Sequence, residues 1–480
     1  MMPPVTTEML RVPHAPGNAS ARAFGLTLRD GRADAPEPWY SLAVAYTDPA
    51  TEASVETAAA HLRAGELVAF PTETVYGLGA NALRADAAEK IYGAKNRPAD
   101  NPLIVHVADV GMLERLLPAG FQVSRVCDVL VRAFWPGPLT LLFPVTTDDA
   151  HATVPPTVTC GQSTVGVRMP SHPLARAIIA KAGVPIAAPS ANASGRPSPT
   201  RASHVYEDMA TRGVLRYIVD GGECSVGVES TVVDAVSHPG EVRVLRPGGV
   251  SVEQLAATLK EHGLLCANAA PAGPDAVRLR VYGRDLARSA AAEATPSTPG
   301  MKYRHYSPNA RVVLLRRRAA AGLPTLHDAI VEEVAHVNMD AHATEANDRV
   351  RSGDDLARVG PHRPRIGVLC TSDDWLWRAL EPLATEPLSR PAPPTWLSRP
   401  VRTSLGTVCV YSLGETSSPE AAAQRLFDGL RTLDAGVAWS ASSGMGPCDL
   451  ILVEEVGDAG VGLAVMNRLE KAASDVVDVQ

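Results

Sequence analysis

Small hydroxyl, amide and cationic side chains recur at short spacing in the first half of this 480-residue chain, most of them just after an apolar run. These groups are Thr72, Thr74 and Tyr76; Lys95, Arg97 and Asn101; Thr164 and Arg168; Ser190, Asn192 and Ser198; Ser230; and Arg246. Residues that follow neighbouring strands of an α/β sheet meet at one edge, so these groups are candidates for a single pocket. Its lysine and arginines would make the pocket strongly positive and attract an anionic ligand.

The sequence lacks the usual signatures of a catalytic nucleophile and of a phosphate-binding loop. It contains no GxSxG elbow, no cysteine in a basic turn beside a histidine, and no GxxxxGK[ST] segment. Residues 77–82, GLGANA, match the dinucleotide pattern GxGxx[GA], but they follow a turn broken by Pro71, which argues against a dinucleotide site. A cationic pocket without a nucleophile suits phosphoryl or nucleotidyl transfer, because positioning and charge stabilisation supply most of that catalysis.

The hydrophobic pattern predicts the elements that position these groups. Residues 67–70 form a short apolar strand, and Pro71 ends it because proline cannot donate to a central ladder. Further strands are predicted over residues 103–107 and 163–170, and from residue 184 into a hydroxyl-rich loop; helices are predicted over residues 55–64 and 85–93. Strands that alternate with helices predict an α/β fold with an open, twisted sheet flanked by helices.

The same pattern divides the chain into four parts. Residues 1–50 are rich in Pro, Ala and Gly and are predicted to be a loosely ordered extension, and residues 51–262 form the first α/β domain. Residues 263–310 have the composition of a linker, and residues 311–480 form a smaller, Rossmann-like α/β domain with a polar insertion near 338–363. The Gly/Ser loop at 440–446 is interpreted as a surface loop rather than a phosphate site.

Composition limits the protein class. The net charge of −7 argues against a general nucleic-acid coat protein. The seven cysteines are scattered without a CxxC pair, which favours reduced thiols in the cytoplasm. No apolar run approaches the roughly 20 residues that span a bilayer, so no membrane association is expected. Arginines before residue 35 make mitochondrial targeting a less favoured alternative, because acidic residues and prolines interrupt them.

Four ordered motifs carry a family resemblance. PTETVYGLG, KNRPADNPLIVH, PSANASGRPSP and VESTVVD resemble the YrdC-like domain of threonylcarbamoyl-AMP synthases. PGMKYRHYSP, residues 299–308, and the segment GLAVMNRLEKAA near the C-terminus resemble the linker and C-terminal domain of the two-domain members. The resemblance is dense over about residues 52–262 and thinner over 295–480.

The resemblance implies a reaction. L-threonine, bicarbonate or CO2, and ATP give threonylcarbamoyl-AMP and pyrophosphate, and a partner transferase complex then modifies the adenosine next to the anticodon of tRNA. A carbamate oxygen must attack the α-phosphorus, which needs neutralised phosphate charge, alignment and exclusion of water. Mg²⁺ is expected to enter on the ATP phosphates, with no metal site built from protein side chains.

The resemblance also implies roles for individual residues. Lys95 and Arg97 would supply charge at the reacting phosphates as catalytic residues. ATP would be bound by Arg97, Asn101, Thr164, Ser190, Asn192, Ser198, Arg246 and Tyr306. Threonine would be bound by Thr74, His106, Arg168, Ala188 and Ser230, with the Arg168 guanidinium on the substrate carboxylate. A lid over the nucleotide would be formed by Lys302, Tyr303, Arg304, His305 and Tyr306.

Two alternatives remain open at this stage. A concave basic face of this kind could bind double-stranded RNA or tRNA without any chemistry, and its affinity would then fall steeply with salt. Carbamoyl-adenylate formers of the hydrogenase-maturation type are similar in the first domain but add paired CxxC motifs, which this sequence lacks. Glu73 could act as a general base or could simply cap its turn.

Overall fold

The computed structural model describes most of the chain, with gaps between well-placed segments. The described residues are 5–13, 20–30, 41–146, 153–266, 275–286, 305–320, 322–352, 363–371, 375–380, 382, 384–387, 389, 391, 396–440 and 443–480. They fall into two units, Met1–His305 and Tyr306–Gln480. The division lies inside the predicted linker.

The first unit is built on a mixed sheet of 11 strands in the order β1-β10-β4-β5-β9-β6-β8-β7-β11-β12-β13. Its strands, together with the separate β2–β3 hairpin, are β1 (Glu8–Arg11), β2 (Leu26–Asp30), β3 (Leu42–Tyr46), β4 (Val68–Phe70), β5 (Gly77–Asn81), β6 (Ile104–His106), β7 (Leu139–Pro144), β8 (Thr164–Arg168), β9 (Ile186–Ala187), β10 (Tyr217–Asp220), β11 (Thr231–Asp234), β12 (Glu241–Arg246) and β13 (Arg278–Val281). Parallel and antiparallel pairs alternate irregularly along the sheet, as in β6–β8 (parallel) and β7–β8 (antiparallel).

Helices accompany this sheet, and their ends follow capping chemistry. They are α1 (Pro49–Arg63), α2 (Ala85–Lys95), α3 (Val110–Glu114), α4 (Arg125–Phe134), α5 (Pro156–Thr159), α6 (Pro173–Ala182), α7 (Ala202–Met209) and α8 (Val252–Glu261). Helix α1 starts at Asp48, whose side chain accepts from the Thr51 N–H at 2.7 Å. Helix α8 starts with a capping box between Ser251 and Gln254. The predicted α/β class with an open sheet and helices is confirmed.

The apolar run before Pro71 forms the buried strand β4, and the glycines after it form a second strand. Strand β5 pairs antiparallel with β4, so GLGANA is a strand and not a phosphate-binding turn. A Cβ on Gly79 would meet the Phe70 ring at 2.6 Å and Ile186 at 2.9 Å, so this glycine is required by close packing. This geometry explains the glycines without a dinucleotide ligand.

Two expectations for the first unit need correction. Residues 1–50 are not uniformly loose, because β1 pairs in parallel with β10 and β2 pairs with β3. The region 263–310 is not only a linker, because β13 extends the main sheet beside β12. These short edge strands carry too few apolar residues to be predicted from periodicity; they are formed by pairing with strands distant in sequence.

The second unit contains a six-stranded sheet in the order β16-β17-β15-β20-β14-β21. Its strands and the separate β18–β19 hairpin are β14 (Arg311–Arg317), β15 (Arg365–Cys370), β16 (Val401–Arg402), β17 (Thr407–Ser412), β18 (Val437–Ser440), β19 (Ser443–Met445), β20 (Leu450–Glu454) and β21 (Asp475–Val479). Its helices are α9 (Leu326–Ser352), α10 (Trp375–Leu380), α11 (Pro419–Ala435) and α12 (Gly462–Ala472). All strands but β16 run parallel, which agrees with the predicted Rossmann-like arrangement.

Two details of the second unit differ from expectation. Helix α9 continues to Ser352, so the first part of the predicted insertion at 338–363 is helical. Part of the Gly/Ser loop at 440–446 belongs to the β18–β19 hairpin. Across the described part of the chain, every helix is too short or too polar to cross a membrane.

Candidate active site

The centre of the site is a buried arginine at the end of β8. The Arg168 side chain is 5% exposed and donates from Nη1 to the Thr74 hydroxyl at 2.9 Å and from Nε to the Gly137 carbonyl at 3.2 Å. Its Nη2 lies 2.6 Å from Oε1 of Glu73. The arginine is therefore held by two segments, the turn after β4, through Thr74 and Glu73, and the segment before β7, through Gly137.

The turn after β4 is organised by its hydroxyl groups. Thr72 Oγ1 donates to the Val75 carbonyl at 2.6 Å and lies 2.8 Å from Thr74 Oγ1. These bonds explain why a Pro- and Thr-rich segment forms a defined turn here, since threonine hydroxyls satisfy backbone groups that no strand partner reaches. Sequence analysis gave Thr72 no ligand, and the structure gives it this positioning role.

His106 lies level with Arg168, because β6 and β8 pair in parallel with His106 opposite Arg168. Burial, with the nearby Arg168 charge adding to it, lowers the pKa of His106 to about 3, so the imidazole is neutral at pH 7. The Ala188 N–H donates to the Ile104 carbonyl at 2.9 Å, which places Ala188 next to the same strand. These predicted threonine-binding residues lie together.

Ser230 and Arg246 form a second hydrogen-bonded group. The Arg246 guanidinium donates to the Ser230 carbonyl at 3.1 and 3.0 Å and to its hydroxyl at 3.2 Å, and the Ser230 hydroxyl lies 2.8 Å from that of Thr140. Thr231 pairs with Leu139, in the strand that joins β8. Arg246 therefore lies at the Arg168 end of the sheet, next to a predicted threonine ligand, although the resemblance placed it among the ATP ligands.

Lys95 holds the loop that contains Ser190 and Asn192. The Lys95 side chain is 1% exposed, and its Nζ donates to the Ser190 carbonyl, to the Asn192 carbonyl at 2.5 Å and to the Asn192 side-chain oxygen at 3.4 Å. Asn192 in turn donates to the carbonyls of Ala193 and Arg196, both at 2.8 Å. Lys95 therefore holds this loop together, whereas the resemblance assigned it to the phosphates.

Ser198 ends the same loop. Its buried hydroxyl donates to Glu229 Oε1 at 2.6 Å, next to Ser230 in sequence. Tyr76 N–H donates to the Pro199 carbonyl at 2.8 Å, and the Tyr76 carbonyl accepts from Ala191 at 2.8 Å. The loop at 190–199 is thus joined both to the turn after β4 and to the residues before β11.

The remaining predicted ATP ligands lie at the other end of β6 and β8. Arg97 donates to the carbonyls of Asn101, at 3.2 and 3.1 Å, and Pro102, at 3.2 Å. Because Ile104 pairs with Gly166, Thr164 is level with Pro102. Four residues of strand at about 3.3 Å each separate Thr164 from Arg168, roughly 13 Å along the sheet.

An open cavity of 930 Å³ adjoins this second end and is lined by residues 98–100 and 160–163. These segments directly precede Asn101 and Thr164. The predicted ligands thus fall into two groups. One group contains Thr74, His106, Arg168, Ala188, Ser230 and Arg246, and the other contains Arg97, Asn101 and Thr164. The loop from Ser190 to Ser198, which Lys95 holds, follows β9. Strand β9 pairs with β6, and the two groups of predicted ligands lie at opposite ends of β6 and β8.

The predicted lid is only partly described. Lys302, Tyr303 and Arg304 lie outside the described residues, and His305 is the last residue of the first unit. Tyr306 belongs to the second unit, where it is 2% exposed and its ring centroid lies 5.2 Å from that of Phe427. Tyr306 therefore packs in the core of the second unit, and its contact with ATP stays a prediction.

Two buried groups near Arg168 were not assigned from the sequence. Glu73 is 5% exposed and pairs with Arg168. His172 is 3% exposed, and burial lowers its pKa to about 4, although Glu73 nearby raises it. Glu73 stands between two threonines in a turn, so its type alone left capping and catalysis equally open. Its contact with a distant strand decides that it belongs to the site.

Two family models match the chain. One, described as "Telomere recombination", covers residues 60–248, and the other, described as "Threonylcarbamoyl-AMP synthase, C-terminal domain", covers residues 250–474. A threonylcarbamoyl-AMP synthase of Schizosaccharomyces pombe is 37% identical over 465 residues, which are 93% of this chain and 94% of the relative. The chain belongs to the threonylcarbamoyl-AMP synthase family. It is therefore an enzyme of the nucleotidyltransferase type.

Other members support this assignment. A threonylcarbamoyl-AMP synthase of Bacillus subtilis is 37% identical over 87% of this chain and 92% of its own length. A crystal structure of Pyrococcus abyssi Sua5 complexed with L-threonine matches with a TM-score of 0.62 and 35% identity, over 89% of this chain and 97% of that chain. The family membership and the two-domain α/β architecture expected from the motifs are thus confirmed.

Proposed function

We propose that this enzyme forms threonylcarbamoyl-AMP and pyrophosphate from L-threonine, bicarbonate or CO2, and ATP. The observation that carries the proposal is the buried Arg168, held by Thr74 and Gly137 at the level of His106. A fixed guanidinium in a water-poor site binds a carboxylate more strongly than an exposed one does. The threonine complex of the Pyrococcus abyssi relative supports an amino-acid ligand.

In this proposal, threonine lies at the Arg168 end of β8. Its carboxylate contacts Arg168, and Thr74, His106, Ala188 and Ser230 surround the rest of the molecule. His106 stays neutral at pH 7 because burial lowers its pKa to about 3, so it offers hydrogen bonds without adding a charge. Burial also reduces the access of water to the carbamate intermediate, which is labile.

ATP occupies the rest of the site. Arg97, Asn101 and Thr164 contact the nucleotide beside the cavity of 930 Å³, while Ser190, Asn192 and Ser198 contribute from the loop that Lys95 holds. The carbamate oxygen attacks the α-phosphorus, and pyrophosphate leaves. Arg246 lies at the threonine end, where it would stabilise charge on the carbamate or the α-phosphate.

Magnesium fits this site as a companion of the substrate. Within the described residues, no three His, Cys, Asp or Glu side chains are grouped to hold a metal ion. An ion with few protein ligands is typical of magnesium bound through phosphates, where it neutralises charge on the triphosphate. Lys95 and Arg97, the predicted phosphate contacts, are cations and would share with Mg²⁺ the neutralisation of the phosphate charge without binding the ion.

The product would pass to a transferase complex that modifies the adenosine next to the anticodon of tRNA. We place the enzyme in the cytoplasm on the basis of its scattered cysteines, with mitochondrial targeting as the less favoured alternative. In the same proposal, a direct contact with tRNA would serve only the transfer of the product.

The deciding experiment measures pyrophosphate release from Mg–ATP and bicarbonate, with and without L-threonine. We expect release to require threonine, and serine to replace it poorly. Release that ignores threonine would contradict the proposed substrate. Salt-sensitive binding of tRNA without any turnover would favour the alternative of an RNA-binding module.

A further inference from the structure

Glu73 is a buried carboxylate that the proposed mechanism does not yet use. Its Oε1 lies 2.6 Å from Arg168 Nη2, but the contact is an ion pair outside hydrogen-bond geometry, and Oε2 has no hydrogen-bond partner among the described residues. Nδ1 of His106 and of His172 also lack partners there. Buried polar atoms without partners are costly in the folded state, so such a group indicates a site completed by a ligand.

An α-amino acid fits the charges of this group. Arg168 offers a cation to a carboxylate, and Glu73, in contact with the same guanidinium, offers an anion to an ammonium group. A zwitterion that contacts both side chains would add no net charge to this buried pair. This matching matters because an unpaired charge is costly to bury.

We propose that Glu73 binds the α-ammonium group of threonine and removes its proton before carbamate formation. This inference rests on the proposed function. The ammonium nitrogen has no lone pair, so it cannot bond to carbon until one proton has left. Glu73 would accept that proton and become a neutral carboxylic acid, leaving a neutral amine.

The following step balances with the co-substrate already required. The amine nitrogen bonds to the carbon of bicarbonate, water leaves, and the product is the carbamate whose oxygen later attacks ATP. Glu73 returns its proton to solvent when the site opens. Burial assists the transfer, because removing water disfavours a charged ammonium and a charged carboxylate relative to their neutral forms.

The other titratable groups near Glu73 support this role. Burial lowers the pKa of His172 to about 4 and raises the pKa of the Cys224 thiol, so both are neutral at pH 7. Among these neighbours, Glu73 is the carboxylate in contact with Arg168.

The test compares the two directions of the reaction in the full-length enzyme. Forward turnover is pyrophosphate release from Mg–ATP, bicarbonate and L-threonine. The reverse assay supplies threonylcarbamoyl-AMP with Mg–pyrophosphate and measures ATP. ATP formation from the adenylate needs no proton removal from an ammonium group, so it isolates nucleotidyl transfer from the proposed role of Glu73.

We expect Glu73→Gln to lower forward kcat/KM for threonine at pH 7 by about 100-fold, a usual effect of losing a general base, with reverse ATP formation near the wild-type rate. The forward deficit should shrink about tenfold per pH unit on the alkaline side, since more free amine is then supplied by solvent. Glu66→Gln, which removes an exposed partner of Lys90, is the matched control and should change neither direction.

Equal losses in both directions would overturn the proposal, because Glu73 would then only support Arg168. Unchanged forward turnover in Glu73→Gln would overturn it as well. If Glu73→Gln does not fold, Glu73→Asp keeps the charge but shortens the side chain, and its forward rate should fall more than its reverse rate; equal falls count against the proposal. A wild-type enzyme that ignores threonine would instead contradict the proposed function.

Discussion

Buried charge is used differently in the two units. In the first unit, Lys95 and Arg246 donate to carbonyl and hydroxyl oxygens, and Arg168 donates to Thr74 and Gly137 in addition to its ion pair with Glu73. Neutral acceptors fix the direction of a cation without cancelling its charge. Such cations remain able to attract an anionic substrate.

In the second unit, buried carboxylates serve the fold. Asp434 accepts from the N–H groups of Asn309, at 2.7 Å, and Ala310, at 2.9 Å, and Asp428 accepts from the Tyr411 hydroxyl at 2.6 Å. These donors come from the protein itself, so the carboxylates join segments of chain. The comparison indicates that ligand binding belongs to the first unit, whereas these charges of the second unit stabilise structure.

The largest expected effect is that of Arg168→Ala. This variant should abolish measurable threonine binding. It should also leave the buried Glu73 without its ion-pair partner, which should lower the free energy of unfolding by about 3–5 kcal/mol. Arg176→Ala is the control for loss of a buried arginine, because Arg176 is about as buried as Arg168 but pairs with Asp30 and donates to the Ala108 carbonyl. Calorimetric titration should show that Arg176→Ala keeps its affinity for threonine while Arg168→Ala loses it, although both variants are less stable than the wild type. Equal affinity in both variants would remove Arg168 from the site.

Acid should destabilise the first unit through His172. Its folded-state pKa, about 4, lies below the ordinary value of 6.5, so the stabilisation is complete above pH 6.5 and is lost as the pH falls towards 4. The His172 contribution to this loss should reach roughly 2–3 kcal/mol, and His172→Gln should reduce the dependence without abolishing it, because buried His106, with a pKa of about 3, contributes over the same pH range. The control His327→Gln alters an exposed histidine of the second unit and should leave the pH dependence of stability unchanged. Unfolding free energies between pH 7 and 4 provide the measurement.

Lys95→Met tests whether the loop before Ser198 depends on its cation. The variant leaves the carbonyls of Ser190 and Asn192 without their donor, which should cost about 1–3 kcal/mol of stability. The KM for ATP should rise more than that for threonine, because the loop holds predicted nucleotide ligands. Steady-state kinetics with each substrate varied gives the answer, and an unchanged KM for ATP would show that Lys95 is only structural.

Tyr411→Phe tests the structural role of the second unit. Loss of the hydroxyl removes one donor from the buried Asp428 and should cost about 1–2 kcal/mol of unfolding free energy. Threonine affinity and kcat should stay at the wild-type level below the melting temperature. A selective loss of threonine affinity in this variant would break the distinction between the two units.

Arg132→Ala sets the lower limit of these effects. Arg132 pairs with Asp128 one helical turn away, at 2.8 Å, and both side chains are about half exposed. Solvent screens such a pair, so its removal should change stability by only about 0.3–0.5 kcal/mol. Thermal unfolding in low and high salt measures it, and a larger effect would mean that exposed charges matter here as much as buried ones.

Much of the fold follows from sequence pattern alone. The strands predicted over residues 103–107 and 163–170 form β6 and β8 within two residues of those bounds, because each is a short apolar run with clear ends. Strands β1 and β13 were missed, since each depends on a partner far away in the chain. The end of α9 was missed because a polar segment near residue 340 gives no apolar stripe to follow.

For the site, the sequence determined which residue types were available, and the motifs determined the family. Only the tertiary structure decided which of them share a place: register puts His106 beside Arg168 and Thr164 at the opposite end of β8, and side-chain contacts put Arg246 beside Ser230. The physical reason is that charge acts over a few ångströms, while the order of residues along a chain fixes no such distance until strands pair. Glu73 illustrates this, because only its contact with Arg168 distinguishes it from a residue that caps a turn.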